Sequence, residues 1–124
     1  MTLGKLEILT LFKENVLKFL DALVELFPEE SDLIVVRILF ENQIPIEESL
    51  NVFSSRILPA RDMIINKNEQ FFLRDDNVFM GINNDKVIRW KKIWLSKKLD
   101  NDDKETIWKW LKIFLSLSEM YVNN

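Results

Sequence analysis

Along most of this chain the apolar positions recur every three or four residues rather than every second one. From Leu6 to Phe27 the polar residues Glu7, Thr10, Glu14, Lys18, Asp21 and Glu25 fall on one stripe. Phe12, Val16, Phe19, Leu20, Leu23 and Phe27 face the other way, as in an amphipathic helix packed on a core. Pro28 ends that helix and suits the first turn of a second, where Glu29, Glu30 and Asp32 complement the positive end of the helix dipole. The second helix is predicted to reach Asn42. Its centre, Leu33 to Phe40, is apolar except for Arg37, and its β-branched residues would also suit a buried strand. Helix is favoured because the chain offers no partner strand. A third helix runs from Pro45 or Ile46 to Leu58, with Glu47 and Glu48 in its first turn, and Pro59 breaks or kinks it before Ala60 to Ile65. Asn68 can cap a short turn holding Glu69, Phe71, Phe72 and Leu73.

Arg74 to Asn84, rich in Asp and Asn with Gly81, reads as a loop that nevertheless contains Val78, Phe79, Met80 and Ile82. Asp85 is placed to cap a helix through Lys97, and Leu99 to Asp103 form a turn. Asp102 with Glu105 three residues later predicts a capping box that starts the last helix. In that helix Glu105, Lys109, Lys112, Ser116 and Glu119 make one narrow polar stripe, and nearly everything else is apolar. Such a helix belongs at the centre of a bundle or against a partner. The expectation is a single all-α domain over residues 1–124, a bundle of five or six helices. The first and last form its inner layer, the Trp90/Trp94 helix packs beside them, and the loop 74–84 lies between the two helical halves.

With 124 residues, 48% of them hydrophobic, the chain can bury a substantial core. It has no run of about 20 apolar residues and no signal-peptide pattern, so no membrane contact is expected. Net charge is −3, but residues 1–85 carry eight Lys/Arg against fifteen Asp/Glu, whereas residues 86–124 carry nine against five. The polarity suggests that the halves dock on each other or that a basic surface meets an acidic partner.

His and Cys are both absent. This removes Ser-His-Asp and Cys-His nucleophilic schemes and the usual zinc ligand sets. Two isolated glycines, Gly4 and Gly81, cannot build a phosphate-cradling loop. The run Asp100-Asn101-Asp102-Asp103 lacks the glycine and the distal acid of a calcium loop and reads as helix capping. Asp75 and Asp76 read as solvated loop acids. No catalytic residue, metal ligand or cofactor is expected, and the chain is read as a non-enzyme.

Arg89-Trp90-Lys91-Lys92-Ile93-Trp94 combines cations with aromatics, as single-stranded nucleic acid requires. Helical phase, however, puts Val87, Trp90 and Trp94 on one face and Arg89 and Lys92 opposite. The rings then enter the core while the cations stay in solvent. Lys86, Arg89, Lys91, Lys92, Lys97 and Lys98 are the candidate interaction surface. Val78, Phe79, Met80, Trp110 and Tyr121 are candidate partner-facing apolar residues, although Phe79 and Met80 could equally fold back over the core.

Leu20 to Asp32 (with Leu-Phe-Pro-Glu-Glu), Ile65 to Leu73 (Ile-Asn-Lys-Asn-Glu-Gln-Phe-Phe-Leu) and Thr106 to Tyr121 (with Ile-Trp-Lys-Trp-Leu) resemble elements of small proteins encoded by nucleocytoplasmic large DNA viruses. The resemblance implies a viral source, an all-helical fold and a place in the infected-cell cytoplasm or the virion. It implies no activity. Abundant Ile, Lys, Asn and Phe with scarce Gly, Ala and Pro agree with an AT-rich coding sequence. The expected function is protein–protein interaction, as a homodimer or as a subunit with another viral or host protein. The alternative is a nucleic-acid-binding module built on residues 86–98.

Overall fold

The computed structural model describes residues 3–70, 84–96 and 99–123, with the backbone alone at 84–87, 89 and 90. It is all-α, with no strand among the described residues. Helix α1 spans Lys5–Leu26, α2 Ser31–Asn42 and α3 Ile46–Ile57. A 3₁₀ turn, Leu58–Ala60, carries Pro59 and leads into the single-turn α4, Arg61–Ile65. Helix α5 is Asn84–Leu95 and α6 is Asn101–Val122. The β-branched centre of the second segment is thus helical, and Pro59 turns the chain where its missing N–H demands a break.

The main core draws on α1, α2, α3 and α6: Ile8, Phe12, Leu20, Phe40, Leu50, Phe114, Leu117 and Tyr121. Six of these eight lie on α1 and α6, so the two long helices form the inner layer. Phe12 sits at its centre, with ring centroids 5.7 Å from Phe53, 6.0 Å from Phe114 and 6.4 Å from Phe40. The Phe114 and Phe40 contacts are edge-on, the geometry that sets the positive ring edge against the negative face. A second cluster, Ile57, Ala60, Ile64 and Leu115, seats the Pro59 turn and α4 on α6. A third, Phe27, Leu33 and Leu99, closes the other end, with Ile93, Trp94 and Ile107 packed against it.

Helix starts differ from the sequence expectation in two places. Helix α6 is capped by Asp100, not Asp102. The Asp103 N–H donates to Asp100 Oδ1 at 2.8 Å, and the Asp100 N–H donates to Asp103 Oδ2 at 3.3 Å. Two overlapping frames could supply a capping box in this acidic run. The earlier frame wins because Asp100 has the extended backbone a cap needs, and the carboxylate of Glu105 is held instead by Lys67. Helix α5 starts at Asn84 and ends at Leu95, so Asp85 lies in its first turn rather than at its cap.

Lys67 has φ 53° just past α4, a left-handed residue that turns the chain while its N–H donates to the Ile64 carbonyl at 3.1 Å. This is a helix-terminating geometry that glycine usually supplies. The ion pair from Lys67 to Glu105 and that from Arg61 to Glu119, at 2.7 Å, fasten this corner to α6.

Candidate interaction surface

Helix α2 presents an exposed apolar face. Only Leu33 and Phe40 are buried, seven residues apart and therefore on one side. Arg37 lies between them in phase, half-buried. It donates to Asp21 of α1 and, at 2.7 Å, to Glu41 one turn on. These pairs hold the guanidinium protonated and raise its pKa further above its usual value. Three inward anchors fix the rotation of α2, and its remaining apolar residues are left pointing away from the core. Ile34 is 43% exposed, Val35 52%, Val36 45%, Ile38 51% and Leu39 37%. Helix α2 sits on the rim: among the described residues α1 is its principal neighbour and covers one side.

From Asp21 to Asn42 the chain carries six acids (Asp21, Glu25, Glu29, Glu30, Asp32 and Glu41) and one cation, Arg37. Glu30 is buried and the other five carboxylates are exposed.

Among the basic candidates, Lys91 is half-buried and Lys92 exposed on α5. Lys86 and Arg89 also lie on α5, where only the backbone is described; Lys97 and Lys98 lie outside the described residues. Trp94 turns inward, with its ring centroid 5.8 Å from that of buried Trp108 in an edge-on contact and the ammonium of Lys104 5.3 Å away. The side chain of Trp90 lies outside the described residues. Sequence reading missed that the outer face of α5 is mixed: Ile88 is 51% exposed and Leu95 65%, one on either side of Lys92. The i, i+4, i+7 spacing of Ile88, Lys92 and Leu95 is the sequence signal of this mixed face.

Of the apolar candidates, Val78, Phe79 and Met80 lie outside the described residues. Tyr121 lies in the core. It is buried, its hydroxyl lies 3.3 Å from Glu47 of α3, and the ammonium of Lys5 stands 5.1 Å from its ring. A tyrosine buries its ring when its hydroxyl finds a polar acceptor, and Glu47 supplies one. Trp110 is half-buried, packed on Phe19 at 5.9 Å and stacked with Phe114 at 6.1 Å, which makes it the margin of the core. Between α1 and α6 runs an open groove of about 390 Å³ lined by Leu11, Asn15, Lys112, Ile113, Ser116, Leu117 and Met120.

Among the described residues no three acids converge as a metal site would require, and no helix is long and apolar enough to cross a membrane. No family model matches this chain, and neither a characterised protein nor a solved structure matches it.

Proposed function

We propose that this chain is a non-catalytic interaction protein that docks through the outward face of α2. One observation carries the reading: Ile34, Val35, Ile38 and Leu39 are 37–52% exposed on contiguous positions of one helix, while α2 is held at a fixed rotation by Leu33, Phe40 and Arg37. Isolated apolar residues on a surface are ordinary, but a contiguous apolar helix face marks a contact site. The lack of His and Cys supports a binding role over nucleophilic or zinc chemistry. The resemblance to proteins of large DNA viruses extends the proposal to a role in infected cells or the virion, in complex with a viral or host protein.

The test is site-specific photo-crosslinking in infected cells, with a photoreactive phenylalanine analogue in place of Ile38. Discrete protein adducts are expected from position 38 and not from exposed Lys109 on the polar stripe of α6. Absence of protein adducts at position 38 contradicts the proposal. Nucleic-acid adducts from the same analogue at Lys92 would transfer it to the alternative built on α5.

A further inference from the structure

We infer that the groove between α1 and α6 binds a medium-chain fatty acid, with the carboxylate on Lys112 and the alkyl chain running toward Met120. The groove is lined by α1 and α6, so the inference is independent of docking through α2.

Size limits the occupant first. At about 390 Å³ the groove stands at the lower end of small-molecule sites, which run from about 300 to 1,000 Å³. A partner helix, about 10 Å across, is too wide to enter it, because α1 and α6 are drawn together by Phe12 and Phe114, with ring centroids 6.0 Å apart. Leu11 and buried Leu117 line the walls, and Ile113 and Met120, 39% and 37% exposed, flank the opening.

Polarity along the groove then sets the occupant's direction. Helices α1 and α6 run antiparallel: Lys5 stands over Tyr121, Phe12 packs on Phe114 and Phe19 on Trp110. In that register Asn15 is level with Lys112, and Leu11 with Ser116 and Leu117. An ammonium and a carboxamide therefore share one end, and the other end closes on Leu11, Leu117 and Met120. Exposed Ser116 is the one hydroxyl along the rim. From Lys112 to Met120 the groove follows α6 for about 12 Å, the length of an extended chain of about ten carbons.

The polar end selects the head group. Lys112 is half-buried, and among the described residues its ammonium enters no hydrogen bond or ion pair. It is drawn through space by Glu105, seven residues back, whose carboxylate is already bonded to Lys67. The Asn15 carboxamide donates one N–H to the Leu11 carbonyl at 2.7 Å and keeps a second for another acceptor. A carboxylate accepts from both the ammonium and this N–H. One cation matches a monoanion, whereas a phosphate dianion would bring a second charge against apolar walls without a counterpart.

Methionine methyl groups labelled with carbon-13 give a local readout on the full chain, because Met120 lines the groove and exposed Met63 lies on α4. Decanoate, titrated below its micelle concentration, should shift the Met120 resonance saturably and leave that of Met63 in place. Hexanoate, too short to cover the Met120 end, and uncharged decanol should each bind about tenfold more weakly. K112M keeps the apolar stem without the charge and should lower decanoate affinity about tenfold, while K112R retains it. S116W, on the exposed rim, should fill the groove and abolish the shift. Circular dichroism checks the fold of each variant, and K112Q replaces K112M should that variant lose native helicity.

Decanoate affinity unchanged by removal of the Lys112 charge overturns the inference. So does equal binding of decyltrimethylammonium, a parallel shift of Met63 and Met120, or the absence of any saturable shift.

Discussion

Phe12 touches rings from α2, α3 and α6 at once, so it couples the four elements of the main core. Truncation to Ala should cost about 3–5 kcal/mol, and Ile8→Val, at a fully buried site, about 1 kcal/mol. Denaturant midpoints report both. Ser118 behaves oppositely. It is fully buried, and its hydroxyl has no hydrogen-bond partner among the described residues. Ser118→Ala removes a desolvated donor and improves helix propensity, so the variant should be equal to or more stable than the parent. Glu105 gives a pH-dependent case. Hydrogen bonding from Lys67 lowers its pKa below the ordinary 4.5. Its contribution is therefore present above the unfolded-state value and lost as pH falls through the lower folded-state value. The melting-temperature gap between the parent and E105Q should be widest near neutrality and close as the pH falls below the ordinary 4.5. A gap that does not change with pH would remove the charge from this account.

At the scale of elements, most helices were legible because their polar stripes repeat at 3.6 residues, and because Pro28, Pro59 and the acidic first turns mark boundaries. The cap of α6 was legible only as a capping box of unspecified frame, since Asp100/Asp103 and Asp102/Glu105 both fit the motif. Lys67, 38 residues earlier in the chain, competes for Glu105, and such distant contacts leave no local pattern. Asp100→Ala should cost about 1 kcal/mol of stability by chemical denaturation, and Asp102→Ala distinctly less. Helix α2 shows a different limit. Apolar periodicity reports how much of a helix could be buried, not how many neighbours arrive to bury it. Leu33 and Phe40 are covered, while Ile34, Val35, Ile38 and Leu39, equally apolar in the sequence, are not.

For the whole molecule, charge asymmetry was plain in the sequence, but its meaning required the fold. The basic second half pointed to α5 as the contact surface. The structure adds an exposed apolar face on α2, and it turns Tyr121, a proposed contact residue, into the core against Glu47. Sequence could not rank these surfaces, because exposure depends on which helices pack against which. The central claim is that the outward face of α2 is open on the isolated chain and contributes to binding rather than to folding. Thermal unfolding of V35D/I38D tests it most directly. The account predicts a cooperative transition within a few degrees of the parent, because exposed substitutions cost well under about 1 kcal/mol each. A loss of native helicity, or a fall in melting temperature of more than ~10 °C, would show two carboxylates forced into a buried site and would contradict it.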